Sequence, residues 1–168
     1  NILMRNINSI PKKYIYNLEY AIVDFGAARN FRNDKSKMLD GQMASAAFSP
    51  PELLNRKFGK KSDIWAYGII CYLVLVRKFF FKAKAQQIFM SQNNKEISRN
   101  IKKALDNLYK SIIPRYLKTD KQINDYLYPL DKKSFYLLTD FLQQIFTIKH
   151  DNRPSSSKLL THDLFKLI

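Results

Sequence analysis

"IVDFGAAR", residues 22–29, carries two β-branched apolar residues into a carboxylate, then an aromatic, a glycine, two alanines and an arginine. Asp24 stands at the end of a greasy run in a chain that is otherwise strongly basic. Gly26 follows as the residue free to take backbone angles that a β-carbon forbids. Two readings are open for Asp24 alone. It is a turn residue at a strand end, or it is a carboxylate carried to the edge of a core to hold something.

The sequence around this stretch reads as strand material. "NILM", 1–4, is a short strand candidate, and Tyr14–Tyr16 and Tyr20–Val23 supply β-branched and aromatic residues for one or two more. Residues 27–49 are polar and without period, which predicts a long loop. "PPELL", 50–54, opens a short helix with prolines and a glutamate in its first turn. "DIWAYGIICYLVLV", 63–76, begins with an acid suited to N-capping and runs without charge from Ile64 to Val76. Thirteen residues are too few to span a membrane, so the run predicts a helix buried on all sides.

The C-terminal half is helical in pattern. Ile97, Ile101, Leu105, Leu108 and Ile112 recur at steps of 4, 4, 3 and 4, an amphipathic stripe. Pro114 and Pro129 bracket a less regular piece. "SFYLLTDFLQQIF", 134–146, puts Phe135, Leu138, Phe141, Leu142, Ile145 and Phe146 on one face. Pro154 suits the first position of a last helix, with Leu159, Leu160 and Leu164 inward.

Composition narrows the classes. A hydrophobic fraction of 46%, with 12 Phe and 10 Tyr, suffices for a core and argues against global disorder. Four glycines are few for a turn-rich β-sandwich. Lys and Arg exceed Asp and Glu by 29 to 14, a net charge of +15. Such a charge invites a nucleic-acid reading. The cations are scattered in short pairs, however, and no nucleic-acid module signature occurs, so they read as solvated. Cys71, the single cysteine, forbids an internal disulfide and fits a reducing, intracellular and cytoplasmic setting. No signal peptide is visible, and His150 and His162 lack any metal-ligand spacing.

Five short patterns occur in one order: "NIL" at 1–3, "DFG" at 24–26, "PPE" at 50–52, "DIWAYG" at 63–68 and "RP" at 153–154. Together they resemble the C-terminal lobe of a eukaryotic-type protein kinase, of the serine/threonine type. The resemblance implies a protein-kinase-like α+β fold, here the C-lobe only, mainly helical with two or three short N-terminal strands. It covers residues 1–168 apart from a variable insertion at 82–130, in the region of the family's αG helix, and makes 24–52 the activation segment.

The implied chemistry is phosphoryl transfer from ATP with Mg²⁺, which rests on positioning and charge neutralisation. Mg²⁺ takes hard oxygen ligands. By resemblance, Asp24 and Asn1 are its ligands, Phe25 packs under the site, and Gly26 turns the chain into the activation segment. Ser45 matches the hydroxyl residue that contacts the catalytic aspartate. Phe48 replaces the usual Tyr, and Pro50 and Pro51 lead into Glu52 where "APE" is common. Ser36 is a candidate phosphosite, since an added dianion can pair with nearby cations. Glu52 and Arg153 resemble an ion pair tying this segment to the last helices. Asp63 resembles the cap of the central helix, which also holds catalytic-loop backbone, and Trp65 belongs to the core.

The family's glycine-rich loop, strand lysine, helix glutamate and catalytic aspartate would precede Asn1. The chain is therefore expected to be inactive alone, as part of an enzyme acting on protein substrates and answering to regulatory proteins. By itself it is expected to expose the surface that meets the small lobe. Two alternatives stay open: a pseudokinase scaffold of the same fold, and a basic helical nucleic-acid binder.

Overall fold

The computed structural model describes residues 2–5, 19–31, 39–40, 47–78, 80, 94–118 and 132–166. The chain divides into two compact units, Asn1–Asp34 and Lys35–Ile168.

The first unit is a two-stranded ribbon. Strand β1, Ile2–Arg5, pairs antiparallel with β2, Glu19–Ile22, so that Ile2 faces Ile22 and Arg5 faces Glu19. Tyr14–Tyr16 lie outside the described residues. Ile22 does not anchor a core here, being 70% exposed, and Ile2 and Tyr20 are exposed as well. A two-stranded ribbon has two faces and buries neither by itself.

The second unit contains the helical core. A 3₁₀ turn, Pro51–Asn55, leads through β4, Lys57–Phe58, into helix α1, Ser62–Val76. β4 pairs with β3, Leu39–Asp40, inside the stretch that the sequence reads as loop. A ladder of two residues is too short to leave an alternating pattern. Helix α2 is Asn94–Lys118, α3 is Lys132–Ile145 and α4 is Ser156–Leu160.

α1 buries one stripe, not its whole surface. Trp65, Ile69, Tyr72 and Val76, three or four residues apart, go inward, whereas Tyr67 and Val74 are exposed. An apolar side chain is free to stay in water where no neighbour covers it. The expected stripe of α2 is inward: Ile97, Ile101, Leu105 and Leu108 are buried, joined by Ala104. The helix continues through Pro114 to Lys118, past the point where irregular structure was expected to begin. Proline removes one donor, and the turns on either side carry the helix on. From α3, Leu138, Phe141, Leu142 and Ile145 close the core, with Phe146 just beyond.

α4 begins later than Pro154 suggests. Ser155 is its cap, its Oγ accepting the Lys158 N–H at 3.2 Å, and Pro154 precedes the cap. Leu159 is buried and Leu164 packs on the core, but Leu160 faces solvent. Adjacent helical positions point about 100° apart, so both leucines cannot face inward.

Gly68 sets the approach of α1 to α3. A β-carbon there would run into Cγ2 of Ile145 and lie 3.1 Å from both Cε1 and Cζ of Phe146. Ile145 is fully buried and that methyl sits directly on its Cβ, so it has nowhere to swing. Gly68→Ala gains about 1 kcal/mol of helix propensity but overpacks at a cost of about 1–3 kcal/mol. The expected result in urea denaturation is a net loss of about 1 kcal/mol for Ala, and a larger loss for Gly68→Val. An alanine variant more stable than the parent would show that the two helices separate freely.

Candidate functional site

β2 delivers its chain to Asp24, which is exposed and takes a left-handed backbone with φ 66°. Asp and Asn accept this region more readily than other residues with a β-carbon. The left-handed position is therefore Asp24 and not Gly26, since no described glycine has positive φ. Gly26 instead lies inside a turn closed by the Ala28 N–H donating to the Phe25 carbonyl at 2.9 Å. A β-carbon on Gly26 would come no closer than 3.6 Å to Asp24 Oδ1, an ordinary contact. Phe25 does not pack under the carboxylate; it is 66% exposed. Asp24 itself is exposed and stands immediately before this turn.

Mg²⁺ is commonly held by one or two carboxylates, with phosphates and water completing the shell. Asp24, an exposed carboxylate at the end of β2, has the donor chemistry for that role. Asn1, the other assigned ligand, lies outside the described residues, as do Ser36 and Ser45.

The second unit contains a buried polar junction built on Arg153, which is 0% exposed. Its Nη1 and Nη2 donate to the two carboxylate oxygens of Glu52 at 2.8 and 2.9 Å. Nη1 also donates to the Lys61 carbonyl at 2.8 Å, and Nε to the Thr147 carbonyl at 3.1 Å. The guanidinium carbon stands 5.1 Å from the centroid of the Trp65 ring. Trp65 is fully buried and meets Phe146 edge-on at 5.3 Å. The Arg fork thus joins the 3₁₀ turn, the start of α1 and the segment after α3.

Glu52 feels two opposed influences. Burial by itself raises its pKa, but the hydrogen bonds and charge of Arg153, with help from Ser62, outweigh it and hold the carboxyl below its ordinary value. Ser62 Oγ donates to Glu52 Oε1 at 2.8 Å and accepts the Gly59 N–H at 2.9 Å. Ser62 opens α1, so Asp63 is its second residue, exposed, and not its cap. The Ser62 N–H already bonds the Gly59 carbonyl, which brings the chain into helical geometry one residue early. An acid in the first turn still complements the helix dipole.

Both histidines are structural. His150 Nε2 accepts the Lys61 N–H at 3.3 Å beside the Arg153 junction. His162 Nδ1 accepts the Leu164 N–H at 3.1 Å, which puts its proton on Nε2, 2.9 Å from Asp140 Oδ2. Their partners, backbone N–H groups together with the Asp151 and Asp140 carboxylates, form no pattern of ligand spacing. Phe48 packs on the core, and Pro51, buried, starts the 3₁₀ turn.

No helix among the described residues is long and apolar enough to cross a membrane. The family pattern described as "Protein kinase domain" matches residues 1–165. Fibroblast growth factor receptor 2 of Dugesia japonica is 30% identical over 153 residues, covering 90% of this chain and 16% of that protein. Tyrosine-protein kinase Btk of Drosophila melanogaster is 38% identical over 52 residues, 30% of this chain and 7% of that protein. Serine/threonine-protein kinase 33 of Bos taurus is 25% identical over 108 residues, 62% of this chain and 22% of that protein. The chain spans less than a quarter of the length of each of these relatives. A pattern matched from the first residue almost to the last, over a mostly helical chain with a few short strands, leaves one assignment: this chain belongs to the protein kinase family.

Proposed function

We propose that this chain is the C-terminal lobe of a serine/threonine protein kinase, which transfers the ATP γ-phosphate to hydroxyls of protein substrates, and that it is inactive without its N-terminal part. The observation that carries this reading is Asp24, exposed and left-handed at the end of β2, immediately before a closed turn. In this reading Asp24 and Asn1 hold Mg²⁺ on the ATP phosphates. The bound ion neutralises phosphate charge, and the chain's own part is to fix that carboxylate in place.

Residues 24–52 act as the activation segment, with Ser36 as a phosphosite and Ser45, Phe48 and Pro51 beside the substrate. Glu52, Arg153, Asp63 and Trp65 anchor that segment and its neighbouring helix. Residues 82–130 elaborate the lobe as a surface for regulatory proteins, and the setting is cytoplasmic. Ser45 and the approach "FSPPE" favour serine and threonine as acceptors. The names of the relatives point both ways, one to tyrosine and one to serine/threonine.

The test is transfer of labelled phosphate by the complete gene product, with Mg²⁺ and ATP, to a mixed pool of Ser, Thr and Tyr peptides. Phosphoserine and phosphothreonine are expected on hydrolysis. Phosphotyrosine alone would overturn the acceptor assignment. No transfer by a folded complete product would favour the pseudokinase scaffold.

A further inference from the structure

α2 and α3 touch along their inner stripes, and with residues 146–152 they leave a groove of about 830 Å³ between them. Its floor is apolar, made by Ile101, Leu105, Phe135, Phe146 and Ile148. Its charged lining is Lys102, Lys149 and Asp106. The two lysines are exposed and come from different elements, α2 and the loop after α3. Lys95 and Arg99 lie one turn or two before Lys102 on α2, and both are also exposed. None of these residues belongs to the Asp24 turn; Phe146 meets the Arg153 junction through its contact with Trp65, and Ile148 and Lys149 through their backbone carbonyls, which leaves the Lys149 side chain to the groove.

The geometry points to this groove as a docking site for an acidic, amphipathic helical segment of a partner protein. Two features together select that chemistry. The apolar floor needs aliphatic or aromatic anchors, which a phosphate backbone does not offer. The lysines on either side need carboxylates, which an apolar segment does not offer. From Ser98 to Asp106 the groove follows α2 for about 12 Å at 1.5 Å per residue. That length takes roughly two turns of a helix presenting anchors at i, i+3 or i+4 and i+7. Asp106, one turn beyond Lys102, disfavours a carboxylate at that end and so sets the direction of the bound segment. The site is independent of phosphate transfer, and its test uses no ATP.

The probe is a fluorescein-labelled helical peptide of Leu and Glu with Leu at that spacing, titrated with the whole chain and read by fluorescence anisotropy. Saturable binding is expected, weakened about tenfold or more in Lys102→Glu/Lys149→Glu. The same charge change elsewhere, Lys78→Glu/Lys158→Glu, is expected to weaken it less than about threefold. All four lysines are exposed, so both variants should fold, and circular dichroism checks this. Equal weakening by the two pairs would show diffuse attraction to a basic chain and overturn the site. So would equal binding of a peptide with Lys for Glu, or no binding at all. Sensitivity to the groove pair only with RNA or anionic vesicles would move the surface to another partner class and overturn the peptide assignment.

Discussion

Arg153→Ala destabilises the domain by roughly 3–5 kcal/mol, because it strands a buried carboxylate and removes five directed bonds at once. For a chain of this size that is a fall in melting temperature of roughly 10 °C. Two of the lost bonds hold Glu52, and three hold the carbonyls of Lys61, Thr147 and Ile148. The Trp65 ring loses its cation as well. Arg153→Lys recovers little, since one ammonium cannot span two carboxylate oxygens and three carbonyls met by a planar fork. Urea denaturation of the three proteins is the measurement. A lysine variant as stable as the parent would show that charge alone, and not the fork, holds the junction.

The same junction responds to acid. Glu52 has its folded pKa below the ordinary 4.5, so folding favours the ionised form. Its contribution is fully present above about pH 4.5 and is lost as pH falls through the lower, folded value. Glu52→Gln should be less stable at neutral pH and should approach the parent's stability as pH falls through that range.

Much of the second unit was legible because helix periodicity is written in side-chain spacing. The stripe Ile97–Leu108 and the face Leu138–Phe146 needed only the period of a helix and an apolar core to meet it. The Glu52–Arg153 contact was legible only through resemblance, since 101 residues separate the partners. Other features were hidden for physical reasons. Two-residue strands leave no alternation. Which residue takes the left-handed position depends on where the ladder lets go, and here Asp24 takes it while the neighbouring glycine does not. Helix starts are hidden too: α1 begins at Ser62, one residue before Asp63 and with no side-chain cap, and α4 begins after Pro154 because the Ser155 hydroxyl caps it. The exposure of Tyr67 and Val74 on α1 is hidden because hydrophobicity says what gains from burial, not what neighbours are present.

Asp24→Asn is expected to cut phosphate transfer by the complete gene product by roughly 10²–10³-fold, the scale of removing one well-placed electrostatic stabiliser. Asparagine accepts the left-handed backbone as readily as aspartate. The turn closed by Ala28 therefore persists, and stability should change by less than about 0.5 kcal/mol. Asp24→Ala adds a backbone cost of up to about 1–2 kcal/mol, because alanine keeps the β-carbon crowding but loses the polar side chain that offsets it locally. Comparing the two separates the carboxylate's chemistry from its geometry.

The most direct measurement is the Mg²⁺ dependence of phosphate transfer by the complete gene product at saturating ATP, for the parent and for Asp24→Asn. With Asp24 as the metal's carboxylate, transfer by the parent saturates with Mg²⁺. The variant then needs a much higher concentration, stays well below the parent's maximum rate and melts at the parent's temperature. Superimposable Mg²⁺ curves for the two proteins would contradict it.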